Sequence, residues 1–247
     1  MRKHVLAATF AALAFAPGPL AAEEDARGGF SRAEIEGIVR DYLLSNPEIM
    51  YEVQAALEEK QRREQEAASR AVIAEAAREI FDNPHDGVIG NPEGDVTVVE
   101  FFDYNCGYCR RALADMEALV AADDNLRFVL KEFPILGPDS HDAHVVSMAF
   151  RALMPEKYGD FHTRLLGSEG RATGDKAVEI ALALGADEAA LRKEMENPAI
   201  AEAIAGTYRL ADRLQISGTP SYVVGQDVVY GALGQDTLRE KIEKARQ

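Results

Sequence analysis

Val99-Glu100-Phe101-Phe102-Asp103-Tyr104-Asn105-Cys106-Gly107-Tyr108-Cys109-Arg110 contains both cysteines of this 247-residue chain. Val96 to Phe102 is an apolar run interrupted by Glu100, which predicts a strand. A helical pattern follows from about Cys106 to Ala122. The Cys-X-X-Cys pair therefore sits where a strand hands over to a helix. Unpaired N–H groups and the macrodipole at the helix N-terminus favour a Cys106 thiolate. A thiolate is the attacking species in disulfide exchange. Cys109 lies one turn further on, more buried, placed to resolve a mixed disulfide by attacking Cys106. Gly107 and Tyr108 tune the balance between the two redox states.

Two cysteines three positions apart leave few structural uses. A bridge between them closes almost no loop, so it adds little chain-entropy stabilisation. A structural zinc site normally needs a second pair of ligands, and there is none. What remains is a redox-active pair.

Outward from the pair, Leu126 to Phe133 is the next strand, closed by Pro134. Strand, helix and strand make a βαβ unit with neighbouring parallel strands. Before it, Gly87 to Gly90 reads as a short strand and Asn91 to Gly94 as a turn. Residues 138–205 read as almost all helix: Ser140–Leu153, Lys157–Leu166, Asp175–Leu184, Glu188–Asn197, and a longer segment from Pro198 to Leu214. Ser217 to Pro220 breaks the pattern. Tyr222 to Val224 and Val228 to Tyr230 form a hairpin, and Thr237 to Gln247 a final helix.

The N-terminal region is different in kind. Arg2, Lys3 and His4 precede an uncharged apolar run from Val5 to Ala16, then Pro17-Gly18-Pro19 and the small residues near Ala22. This is the layout of a signal peptide over 1–22; an uncleaved anchor is the alternative. No other stretch is apolar for long enough to span a bilayer. The expected mature protein is soluble and exported. Ser31 and Glu34 form a capping box, followed at helical spacing by Ile35, Ile38, Val39, Tyr42 and Leu43. Asn46-Pro47 restarts the helix, with Pro47 at its first position. Glu58 to Glu66 contains no apolar residue, and Ala67 to Ile80 is alanine-rich and helical. The apolar stripe has little of its own domain to pack on, so self-association is favoured over folding back onto the main domain.

Composition narrows the function further. The formal net charge is −15, which repels nucleic acid phosphates. No serine triad, P-loop or dinucleotide fingerprint is present, and no cofactor is expected. His141 and His144, three apart on a helix, lack an evident third ligand; a solvated or capping role is favoured over a metal site. His85 and His162 stand isolated. The two thiols could themselves take Cu(I).

The strand ending in EFFDYNCGYC, the helical stretch after it and the late Gly218-Thr219-Pro220 resemble the DsbA-type thioredoxin superfamily of the bacterial periplasm. The likeness covers about residues 84–247. It implies an α/β thioredoxin fold over 84–137 and 206–247, with an inserted helical domain over 138–205. It implies that Pro220 is a cis-proline facing the cysteines, with Thr219 presenting backbone groups to a substrate strand; a trans proline in an ordinary turn is the alternative. It also implies that Glu100 moves a proton at Cys109, the alternative being a solvated strand-edge carboxylate.

Arg40-Asp41-Tyr42-Leu43-Leu44-Ser45-Asn46-Pro47-Glu48 is similar to the N-terminal region of ScsC-type proteins (suppressor of copper sensitivity). That likeness implies an N-terminal helical oligomerisation stalk over 23–83, acting through residues 31–66, with a trimer favoured. It implies cysteine-containing client proteins and a membrane thiol–disulfide reductase of the ScsB/DsbD kind as partners. CGYC with Thr before the proline resembles the isomerases DsbC and DsbG, whereas DsbA oxidases usually carry Pro-His between the cysteines and Val before the proline. A disulfide isomerase or reductase is therefore expected, with a dithiol oxidase and a copper-handling protein as alternatives.

Overall fold

The structure is a computed structural model that describes residues 29–247. The signal peptide expected over 1–22 lies outside the described residues. The chain divides into two compact units, one ending at Ala56 and one running from Leu57 to Gln247.

The first unit holds helix α1 (Arg32–Ser45) and the start of helix α2 (Ile49–Glu75). The capping box forms as expected. The Ser31 hydroxyl accepts from the Glu34 N–H at 3.3 Å, and the Glu34 carboxylate accepts from the Ser31 N–H at 2.8 Å. Asn46 does not open α2; it closes α1, its backbone N–H and side-chain amide both donating to the Tyr42 carbonyl. No residue of α1 is buried. Ile35, Ile38, Val39, Tyr42 and Leu43 are all exposed, and Ile35, Val39 and Leu43 line one apolar surface.

In the second unit, α2 passes through the polar stretch 58–66, where Arg62 pairs with Glu59 and Glu66 one turn to either side. These pairs are exposed and contribute little stability. The sequence assigned residues up to 83 to the stalk. In the structure Ile73, Ala76 and Ile80 are core residues of the second unit, packed with Val99, Phe101 and Val129. The helix expected from Ala67 to Ile80 also breaks at Ala76, before a short helix α3 (Ala77–Phe81).

Five strands follow: β1 (Gly87–Gly90), β2 (Val96–Phe102), β3 (Leu126–Glu132), β4 (Ser221–Val224) and β5 (Asp227–Tyr230). Their order is β1-β3-β2-β4-β5. The β2–β3 pair is parallel, as the βαβ reading requires, and the other pairs are antiparallel. Helix α4 (Gly107–Ala122) is the crossover, and Cys106 is its N-cap.

Alternate strand residues feed two cores. Val98, Phe102, Phe128, Leu130, Tyr222 and Val224 pack with Cys109, Met116 and Leu119 of α4. Val99, Phe101, Val129 and Val223 pack on the opposite face with Ile73, Ile80 and Leu210. Both faces of β2 are covered, which is why it reads as a continuous apolar run. Glu100 falls in register with Tyr222 on one side and Leu130 on the other, so it belongs to the face covered by α4.

The inserted helices are α5 (Pro138–Leu153), α6 (Tyr158–Leu166), α7 (Gly174–Ala183), α8 (Glu188–Met195) and α9 (Pro198–Arg213). Helix α9 runs unbroken through position 205, its early residues Ile200 and Ile204 in one core and its late residues Leu210 and Ala211 in the other. Helix α10 (Gln235–Ala245) closes the chain.

Candidate active site

The site begins with a turn. The Asp103 carboxylate accepts from the Asn105 N–H at 2.8 Å, the Ser140 hydroxyl at 2.8 Å and the Leu136 N–H at 2.9 Å. The Cys106 N–H donates to the Asp103 carbonyl at 2.9 Å. This turn ends β2 and delivers Cys106 to the head of α4.

As N-cap, Cys106 accepts from the Cys109 N–H with its sulfur, 3.4 Å away. Its thiol also lies 3.2 Å from the carbonyl oxygen of Thr219. The Thr219–Pro220 peptide bond is cis, as the family likeness implied. Hydrogen bonding from the Cys109 side chain, then from the Thr219 side chain and the N–H groups of Cys109 and Tyr108, draws the Cys106 thiol down from 9.0 to about 5 against the opposing effect of burial. The first turn of α4 is thus built to hold a thiolate. Cys109 is fully buried, and burial pushes its thiol far up, with further contributions from Cys106 and the Glu100 charge. One cysteine is an anion at neutral pH and its neighbour a proton-bearing thiol.

Glu100 is 3% exposed, which removes the solvated strand-edge alternative. Burial pushes its carboxyl up to about 8, and the negative charge on Cys106 adds to this. A carboxyl that titrates near neutral pH beside a buried thiol can take and return a proton.

Gly107 has nothing within 4 Å of where a Cβ would stand, so the rim of the site is open there. Tyr108 is 59% exposed, with the Arg111 guanidinium 4.3 Å from its ring centre. Thr219 thus meets Cys106 in space, with Pro220 next to it in the chain, and Gly107 and Tyr108 follow Cys106 at the head of α4.

The insertion is tied to the same turn. The Asn105 side chain donates to the Ala172 carbonyl at 2.9 Å and accepts from the Ala172 N–H at 2.8 Å. Arg110 donates to the carbonyls of Leu166 at 2.9 Å and Gly170 at 3.2 Å.

Sequence reasoning misplaced two histidines. His144 is neither solvated nor a cap: it is fully buried, against Glu132 and the Tyr104 N–H. His162 is not isolated but buried among the rings of Phe102, Tyr104 and Tyr158. Burial pushes His162 down to about 3, so it stays neutral. His141 is exposed beside Asp142, and His85 is exposed.

A parallel β2–β3 pair with its crossover helix, a cis-proline strand and a thiolate–thiol pair at the helix head define the class of thioredoxin-fold thiol–disulfide oxidoreductases. Residues 97–243 match the DSBA-like thioredoxin domain, and residues 32–64 match the copper resistance protein ScsC N-terminal domain. The chain belongs to the DSBA-like thioredoxin domain family. A thioredoxin-like oxidoreductase from Silicibacter pomeroyi DSS-3 is 44% identical, the match covering 68% of this chain and 96% of that one with a TM-score of 0.65. BcfH of Salmonella enterica Typhimurium is 27% identical, covering 87% of this chain and 96% of its own, with a TM-score of 0.75. The Na(+)/H(+) antiporter NhaA 1 of Salinispora arenicola is 28% identical over 166 residues, 66% of this chain. The chain spans about a quarter of the length of the curated relatives it matches first. Among the described residues no helix is long and apolar enough to cross a membrane.

Proposed function

We propose that this chain is a periplasmic protein thiol–disulfide oxidoreductase that works as a disulfide isomerase or reductase. The observation that carries the exchange chemistry is the contrast within one helical turn: Cys106 drawn down to about 5 and Cys109 pushed up by burial. The Cys106 thiolate attacks a client disulfide, forming a mixed disulfide and releasing one client thiolate. In isomerisation that client thiolate attacks another client disulfide, and a client thiolate then displaces Cys106. In reduction the mixed disulfide has removed the Cys106 charge, one of the two causes that keep Glu100 protonated. The carboxylate, once it has lost its proton to solvent, takes the Cys109 proton, and Cys109 attacks the Cys106 sulfur. The client leaves as its thiolate, and a Cys106–Cys109 disulfide remains. A membrane thiol–disulfide reductase of the ScsB/DsbD kind returns the pair to its dithiol form. Thr219, Pro220, Gly107 and Tyr108 frame the place where the client chain lies.

The exposed apolar stripe of α1 favours isomerase over a lone oxidase. Such a stripe is stabilised by pairing with its own copies, and a homo-oligomer, a trimer by preference, would offer one client several Cys106 thiolates. Export to the periplasm fits the signal-like start of the sequence.

The test is a scrambled, fully oxidised four-disulfide substrate with a Cys106→Ser control. Recovery of native activity that requires Cys106 supports the isomerase. No recovery, with fast oxidation of a reduced substrate, replaces it by a dithiol oxidase. Failure in both assays turns attention to Cu(I) on the two thiols.

A further inference from the structure

We propose that a polar stripe on α5, with His144 at its centre and Ser140 one turn before it, is a positioning element for the Cys106 thiolate. Ser140, His144 and Ser147 are spaced i, i+4 and i+7, so they share one face of the helix. All three are fully buried. That face points at the turn preceding Cys106. Ser140 donates to the Asp103 carboxylate at 2.8 Å and accepts from the Asn105 amide at 3.0 Å. The Nε2 of His144 lies 3.3 Å from the backbone nitrogen of Tyr104. Ser147 shares a 2.7 Å hydrogen bond with the Tyr104 hydroxyl. Three consecutive residues before Cys106 are thus each held by this one helix face.

The hydrogen-bond roles fix the histidine tautomer. A backbone N–H can only donate, so Nε2 must accept and the ring proton sits on Nδ1. Nδ1–H then donates to the Glu132 carboxylate. Glu132 also accepts from the Ser147 hydroxyl at 2.6 Å and the Tyr158 hydroxyl at 3.0 Å. The ring is therefore held from behind by a buried carboxylate at the end of β3, the strand beside the one that leads to Cys106. A buried polar network is stabilising only when every member is satisfied, and an apolar packing would hold α5 to the sheet equally well. What the polar version adds is a fixed position for the 103–105 backbone, and hence for the sulfur that must meet the Cys109 N–H at 3.4 Å and Thr219 across the cleft.

This role rests on the exchange chemistry proposed above, but its test does not require a client protein, and the thiolate titration requires no exchange at all. His144→Phe keeps a ring and removes the acceptor; His144→Gln keeps an acceptor near the Nε2 position. Thiolate absorbance of the reduced full-length protein is titrated against pH, and the dithiol–disulfide equilibrium is measured in glutathione buffers. In the Phe variant the acid dissociation constant of Cys106 should fall about tenfold. Its equilibrium should shift about tenfold toward the disulfide, which corresponds to about 30 mV. The Gln variant should return within about threefold of the parent on both measures. A folded Phe variant with the parent's titration, or a Gln variant that falls as far as Phe, overturns the proposal. Should the Phe variant fail to fold, Ser140→Ala tests the same stripe. A lowered Cys106 dissociation constant is expected there, and an unchanged one refutes the role.

Discussion

The sulfur of Cys106 and the carbonyl oxygen of Thr219 lie 3.2 Å apart, although 113 positions separate them in the chain. The contact made by Thr219 is through its backbone, and its side chain is among the groups that draw the Cys106 thiol down. Thr219→Val keeps the shape of the residue and removes the hydroxyl. Its expected effect is a rise of the Cys106 pKa by about one unit, since a hydrogen bond to a charged group is worth about 1.5 kcal/mol or more. A thiolate titration identical to the parent's would show that the side chain does not help to hold the anion.

Glu100 gives a pH signature with a definite sign. In the unfolded chain its carboxyl ionises near 4.5, and in the folded protein near 8. Between those values the unfolded state has released a proton that the native state keeps, so the native state loses stability as pH rises from 4.5 to 8. Glu100→Gln removes this loss. The variant should be more stable than the parent at pH 8.5, by on the order of a few kcal/mol, and nearly equal to it at pH 4. Urea denaturation at the two pH values gives the comparison. Parallel stability curves would mean that Glu100 does not hold a proton at neutral pH.

Cys106 and Cys109 should differ sharply toward an alkylating reagent. With Cys106 drawn down to about 5, alkylation of the reduced protein should rise through that pH and then level off, modifying one thiol per chain. Cys109, buried and pushed up, should react only after unfolding. Mass spectrometry of the quenched reaction assigns the site. Equal labelling of both cysteines at pH 7 would contradict the assignment of Cys106 as the attacking group.

The α1 stripe can be tested without cutting the chain. Val39→Glu places a charge in the middle of the apolar surface formed by Ile35, Val39 and Leu43. Sedimentation should then report a monomer in place of an oligomer, while the Cys106 titration stays where it was. Isomerase activity should fall by about an order of magnitude, because separate thiolates lose their shared effective concentration. An oligomer that survives the charge would place the self-association elsewhere.

The sequence was readable where chemistry and periodicity coincided. Cys106 and Cys109 at a strand–helix junction, Glu100 inside an apolar strand and Thr219 before a proline each break a local pattern, and each lies at the site. Ser140, His144 and Ser147 break none. Polar residues at i, i+4 and i+7 are what the solvated face of any surface helix shows, and only the tertiary position of Glu132 and Tyr104 reveals that this face is inside. Residues 73–80 were read as stalk for a similar reason. Alanine-rich helix gives little apolar contrast, and Ile73 and Ile80 become core only because the sheet stands beside them.

Asn105 and Arg110 fasten the 166–172 loop of the insertion to the head of α4. Thr219, which completes the surroundings of Cys106, comes later still in the chain. A polypeptide that has emerged only as far as β3 therefore lacks the Thr219 contribution to the lowered Cys106 and the later strand and helices that complete the core around Cys109. The surroundings of the pair are completed last, when the final third of the chain is in place.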